Sequence, residues 1–443
     1  MRTHLINAWY GVVDYAAYPV IMLLTAPILI RHLGVSGYGI FAFGMSIANT
    51  GGIIASGFGD ANTQKISVAR AAHDIPVIRA TIQCTLGIHL AVGIAISALG
   101  VALAPWLSSK VTSAQPWNRY TCTDVVVISS LLVLTRTLET VAVSTQRAFQ
   151  SYGNALTISA IVRVLTLVFA AALSTRRSSL QNIFLTMISL SFAGTLLQLF
   201  RLGRRTSLVC LIPSFHAPQI RSLLAFGGFT WLQALGGVIF SQADRLLIGL
   251  WMGSAALTAY SLAAQVAQPI VGITAAAMHF MFPYLAHQAA QRGVLAVVRP
   301  AKRAFWASLG LIAIQSVPLI LFGNRILAAW IGRTELALST LLLPLLVIAS
   351  AFAALSVTGN YALLALGRAR VSSWVILGSS SLMLTVARPL ISKWGTEGMA
   401  IARMAAGLAM LLVYLPLWKQ LQDRRDCVIS VIASSPPIQG VLD

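Results

Sequence analysis

Eight charged side chains lie inside long apolar runs of this 443-residue chain: the cations Arg136, Arg163, Arg245, Arg388 and Arg403, and the acids Asp14, Glu139 and Asp244. A charge at the centre of a bilayer costs about 3 kcal/mol on insertion scales, so such residues rarely face lipid and usually line a cavity or an ion path. Arginine suits the first task, because its planar fork stays protonated and donates two parallel hydrogen bonds to an anion. The acids suit the second, by taking up and releasing a proton or a sodium ion. Plainer roles stand beside these. Arg136 and Glu139 are three apart on one helix and can neutralise each other. Arg245 adjoins Asp244 and Arg388 precedes Pro389, so both can snorkel to the interface. Arg163 and Arg403 have no sequence neighbour of opposite sign, which makes them the better cavity candidates, and Asp14 is the first choice for ion coupling, with Glu139 and Asp244 as rivals. Asp14 can equally pair with an arginine across the bundle. His89 and His279 read as hydrogen-bonded packing residues, and Trp9, Tyr10, Tyr18, Trp231 and Tyr260 mostly as interfacial aromatics, with stacking on sugar rings as the other use.

The elements that must hold these residues are membrane spans. The chain is 57% hydrophobic and 9% charged, against about a quarter charged in soluble domains, so lipid must cover most of its surface. A span needs roughly 20 apolar residues, and twelve runs qualify. They cover about Ala8 to Ile30, Tyr38 to Phe58, Arg79 to Ala104, Thr123 to Phe149, Gly153 to Ser174 and Leu180 to Leu202. The second six cover about Ser222 to Leu250, Ala255 to Ala286, Ala304 to Gly323, Leu336 to Leu366, Val371 to Ile391 and Gly398 to Leu417. The first run is too long for a cleaved leader. Prolines at 19, 27, 269, 283, 318, 344, 389 and 416 provide kinks in a helix.

This reading gives an all-α integral membrane protein of about twelve helices in two six-helix bundles, residues 1–202 and 222–418. A cytoplasmic linker (203–221) joins them and a disordered cytoplasmic tail (419–443), rich in Ser and Pro, follows. Six spans per half keep both halves in one orientation, the parallel-repeat design of transporters that rock about a central site. A weak internal echo agrees: Leu33-Gly34-Val35-Ser36-Gly37-Tyr38 after the first span and Met252-Gly253-Ser254 to Tyr260 after the seventh. With the N-terminus cytoplasmic, eighteen Lys and Arg fall in cytoplasmic segments and eight outside, among the latter Arg31, Arg176 and Arg177, which satisfies the positive-inside rule. Most of the net charge of +20 is therefore topology rather than a nucleic-acid surface, and no nucleic-acid partner is expected. Four scattered cysteines without CxxC spacing give neither a zinc site nor a disulfide framework, and no Gly-Lys pair exists to build a P-loop, so no metal or cofactor is expected.

The segment Ala26-Pro27-Ile28-Leu29-Ile30-Arg31-His32-Leu33-Gly34-Val35-Ser36-Gly37-Tyr38-Gly39-Ile40-Phe41 resembles the first-span exit of Wzx-type polysaccharide flippases. Asp244-Arg245-Leu246-Leu247-Ile248-Gly249, followed by Tyr260-Ser261-Leu262-Ala263, is similar to that family's seventh-to-eighth span transition. The resemblance implies a MOP-superfamily fold in a bacterial inner membrane. It implies transfer of undecaprenyl-pyrophosphate-linked oligosaccharide from the cytoplasmic to the periplasmic leaflet, with the polymerase and glycosyltransferases of the same pathway as partners and H+ or Na+ as coupling ion. Under it, Arg136, Arg163 and Arg403, then Arg245 and Arg388, contact the pyrophosphate. Two alternatives remain: a MATE-like antiporter of small cations, whose cavity would be net acidic, and a membrane-embedded polymerase or glycosyltransferase, which would need a large outer loop.

Overall fold

The structure, a computed structural model, describes residues 2–113, 119–149, 152–206, 212–278, 281–332 and 341–419. Side chains are described from Pro19 on, except at 55–56, 152–156, 205–206, 222, 224–227, 229–230, 283, 290, 292 and 294. The described residues are helical, with no strand among them. In chain order the helices are α1 (Arg2–Ala71), α2 (Ile75–Val111), α3 (Arg119–Ala148), α4 (Tyr152–Thr175), α5 (Leu180–Thr206), α6 (Ala217–Val238), α7 (Asp244–Ala267), α8 (Pro269–Met278), α9 (Met281–Arg292), α10 (Val298–Ile331), α11 (Leu342–Ala365) and α12 (Ala369–Met410). A five-residue π-helical turn, Ile239–Ala243, joins α6 to α7.

Nine of the described helical stretches are long and apolar enough to cross a membrane, and three of them are far longer than one crossing needs: Pro19–Ala71, Trp231–Met278 and Ala369–Lys419. A straight helix of 53 residues would extend about 80 Å, more than twice the hydrocarbon thickness. Each of the three contains a glycine that leaves helical geometry: Gly34 (φ 72°, ψ 175°), Gly253 (φ 83°, ψ 179°) and Gly395 (φ 58°, ψ −134°). A side chain at such a φ would be strained, so glycine is what allows one leg to end and the next to begin. Nine stretches with three breaks give twelve legs, the twelve spans expected. Gly34 and Gly253 share nearly one backbone conformation, so the echo between Leu33–Tyr38 and Met252–Tyr260 is a repeated structural break.

Several boundaries differ from the sequence reading. The helix α2 runs straight through Pro105 to Val111, which shortens the expected connection from Pro105 to Cys122. It starts early, at Ile75, because the Asp74 carboxylate accepts a hydrogen bond from the Val77 amide at 3.1 Å. Likewise α5 extends to Thr206 and α6 begins at Ala217, so helix occupies both ends of the expected 203–221 linker. The eighth span is interrupted between α7 and α8, just before Pro269, whose ring and missing amide break the ladder. The tail expected after residue 419 lies outside the described residues.

Packing is turned inside out relative to a soluble protein. Large apolar side chains cover the surface, as on α10, where Ile314 is 73% and Leu321 67% exposed. The interior is rich in Ser and Thr, many of whose hydroxyls bond back to carbonyls one turn earlier, as Ser46 does to Ala42 at 2.9 Å and Ser129 to Val125 at 2.6 Å. The two bundles meet through α1 and α7. Near the two glycine breaks Thr258 donates to the Val35 carbonyl at 2.6 Å, and Gln265 donates to the Tyr38 hydroxyl at 2.7 Å. Gly39 permits that contact, since a Cβ there would lie 1.9 Å from the Ser254 carbonyl oxygen.

Candidate functional site

Next to this contact the bundles leave a small cleft of about 70 Å³. Pro19, Met22, Ala42, Met45 and Asn49 of α1 line one wall, and Arg245, Ser261, Gln265, Gln268 and Pro269 line the other. Asn49 lies eleven residues past Tyr38, about 16 Å along the second leg of α1, which places the cleft near the middle of the spans. Two of its lining residues are prolines, Pro19 within the first leg and Pro269 at the α7–α8 junction.

Among the described residues, Arg245 is the only charged one lining the cleft. Its guanidinium donates to the Gln268 side-chain oxygen at 2.8 Å. The Arg245 Nε, the Gln265 side-chain oxygen and the Ser261 hydroxyl are buried without a hydrogen-bond partner. Buried donors and acceptors left open cost about 1–3 kcal/mol each, so a cleft with several of them is built for a polar occupant or for water. The lining therefore offers one fixed positive charge among neutral amides and hydroxyls.

One residue away the charge is fully committed. Asp244, with no exposed surface, forms an ion pair with Arg403 of α12 and accepts from the Tyr260 hydroxyl at 2.8 Å. The Arg403 guanidinium also stacks over the Phe240 ring, its central carbon 4.5 Å from the ring centre. Phe240 belongs to the π-helical turn, whose extra residue shifts the register just before Asp244 and Arg245. That cluster joins α12, the π turn and the start of α7 into one electrostatic unit behind the cleft wall.

The remaining intramembrane charges gather elsewhere. Within the first bundle, Arg136 and Glu139 pair at 3.3 Å on α3, Ser159 of α4 donates to Glu139 at 2.6 Å, and Gln198 of α5 donates to Ser159 at 2.9 Å. Arg163 is close enough to act electrostatically on Glu139. Thus Arg136 and Arg163 meet around one carboxylate in the N-terminal bundle, Arg403 belongs to a separate cluster in the C-terminal bundle, and the three do not converge. Arg388 is exposed on α12 and takes no part in the cleft. The side chain of Asp14 and all of His279 lie outside the described residues. His89 is buried, with Nδ1 2.8 Å from the Thr85 carbonyl and Phe58 packed edge-on, so it reads as structural. Among the described residues no group of three or more His, Cys, Asp or Glu is placed to hold a metal ion.

Sequence reasoning ranked Arg245 low, and it passed over Asn49, Ser261, Gln265 and Gln268 altogether. Neutral polar residues are common in buried helices, and only the position of Gln265 and Gln268 beside Pro269 hinted at them.

Residues 8–288 match the family described as polysaccharide biosynthesis protein. The chain belongs to that family. No curated protein sequence matches this polysaccharide biosynthesis protein. Solved structures establish its fold as that of MOP-superfamily transporters. An inward-facing multidrug resistance MATE family transporter of that superfamily superposes with a TM-score of 0.74 at 15% identity, covering 94% of this chain and 99% of the other. An outward-facing multidrug resistance MATE family transporter gives 0.62 at 14% identity, over 93% and 96%. A MOP-superfamily transporter from Pyrococcus furiosus, described as having a binding pocket of reversed polarity, gives 0.62 at 13% identity, over 92% and 95%. The expected all-helical MOP fold is the observed one.

Proposed function

We propose that this polysaccharide biosynthesis protein is a flippase that moves an undecaprenyl-pyrophosphate-linked oligosaccharide from the cytoplasmic to the periplasmic leaflet of a bacterial inner membrane by alternating access. The observation that carries the reading is the polarity of the cleft: among the described residues its one charged lining residue is a cation, Arg245, beside amide and hydroxyl groups. A pyrophosphate fits a guanidinium, and a glycan fits Asn49, Gln265 and Gln268, while the prenyl chain can remain in lipid. A MATE-like exporter of cations would be expected to line the same cleft with acid. The protein performs no covalent step in this scheme.

Both termini are assigned to the cytoplasm, following the basic segments. The end closed by Tyr38, Gln265, Thr258 and Gly39 is then periplasmic, and the bundles are packed as in the inward-facing state. The halves divide at 1–202 and 222–418. We assign ion coupling to Asp244 ahead of Glu139 and Asp14, because it ties Arg403 and Tyr260 together one residue from the cleft cation. Pathway polymerase and glycosyltransferases supply and consume the lipid-linked glycan.

The test is leaflet transfer in proteoliposomes loaded with a prenyl-pyrophosphate-linked glycan. The charge-free double variant Asp244→Asn/Arg403→Met is expected to leave downhill transfer measurable while abolishing its response to an imposed pH gradient; an unchanged response in this variant removes Asp244 from the coupling role.

A further inference from the structure

A second cleft lies where the first leg of α1 ends and α4 turns into α5. It is lined by Arg31, His32, Leu33, Ser174, Arg177, Ser178, Ser179 and Leu180, of which none is acidic. Arg31, His32 and Arg177 are all exposed, and Arg176 adjoins them. In the proposed orientation two of the eight basic residues on the periplasmic side, Arg31 and Arg177, thus line one cleft, although that side is where cations are disfavoured.

The backbone at this point makes the choice of arginine costly. The end of α4 closes with the Arg177 amide bonding the Ser174 carbonyl at 3.0 Å and the Ser178 amide bonding the Leu173 carbonyl at 3.1 Å. That pair of bonds puts residue 177 at the left-handed position where glycine is usual, and Arg177 has φ 55°. An ordinary side chain costs of order 1 kcal/mol there. The side chain stands at a position whose backbone disfavours it, beside Arg31 and with no acid among the described lining residues to balance the two. Ser174, Ser178 and Ser179 add hydroxyls.

We propose that this cleft holds a phosphate group borne on a lipid of the outer leaflet. A lipid is favoured over a free anion because exposed apolar side chains continue from the cleft along both helices, Leu165, Val168 and Phe169 on α4 and Leu185 and Phe192 on α5, giving the attached chains a surface to lie against. The phosphate can come from an anionic phospholipid or from a polyprenyl pyrophosphate leaving the central cleft. The periplasmic placement rests on the orientation proposed above; the binding itself does not.

Native mass spectrometry of the full-length protein tests it, with dioleoyl phosphatidylglycerol, a polyprenyl pyrophosphate, zwitterionic dioleoyl phosphatidylcholine and inorganic pyrophosphate as probes. The double variant Arg31→Gln/Arg177→Asn is suitable because asparagine tolerates the left-handed backbone. It is expected to bind the two anionic lipids at least tenfold more weakly than the wild type, while Arg325→Gln, an exposed cation of α10, leaves binding unchanged. Preference for the polyprenyl pyrophosphate identifies a site for the departing carrier, and preference for phosphatidylglycerol a headgroup site. Equal binding by the double variant and wild type, equal loss in Arg325→Gln, or binding of inorganic pyrophosphate as tight as that of either lipid overturns the proposal. Because no transport is measured, loss of this site is distinguishable from failure of the flippase reading.

Discussion

Arg245 and Arg403 show why the same residue type, 158 positions apart, does different work. Arg403 is consumed by Asp244, Tyr260 and Phe240, so it stabilises the bundle, whereas Arg245 keeps part of its guanidinium open to the cleft. Removing one member of a buried pair leaves an uncompensated charge, at a cost of about 3–5 kcal/mol. Asp244→Ala is therefore expected to lower thermal stability sharply, and the charge-free double variant Asp244→Asn/Arg403→Met to recover most of it; a denaturation series on the purified protein checks both. The charges themselves were legible from the sequence, because each interrupts an apolar run. Their partners were not: Asp244 and Arg403 belong to different helices, and nothing in either segment names the other. Glu139 and Arg136 were legible as a pair because i and i+3 share a helix face.

At the scale of elements, glycine and proline decide the architecture. Twelve legs followed from hydropathy, but the merging of legs through Gly34, Gly253 and Gly395 needed backbone angles that sequence does not carry. Gly253→Ala is expected to cost about 1 kcal/mol or more, from strain at its positive φ. Gly39→Val acts differently. The new side chain would collide with the Ser254 carbonyl and push the closed end of the bundles apart, so it favours the state open on that side. Paired spin labels on α1 and α7 near the breaks should report longer distances in Gly39→Val than in the wild type, and unchanged distances would remove this contact from the conformational switch. The break at Pro269 was legible as a kink, while the bond from Arg245 to Gln268 beside it was not.

On the scale of the whole molecule, two bundles that meet beside a cleft bearing Arg245 suit the proposed passage of a polar anion across lipid. The sequence made the class legible through span count, basic asymmetry and the Ala26–Phe41 segment, yet it directed attention to Arg136 and Arg163, which the fold gathers around Glu139 inside one bundle. The distinction matters for transport: Arg163→Ala should alter stability more than transfer, and Arg245→Gln the reverse. The most direct measurement is the rate at which the purified protein moves a prenyl-pyrophosphate-linked glycan between leaflets of proteoliposomes. The account predicts transfer by the wild type and a loss of at least tenfold in Arg245→Gln with folding intact; transfer by Arg245→Gln at the wild-type rate, or none by the wild type, would contradict it.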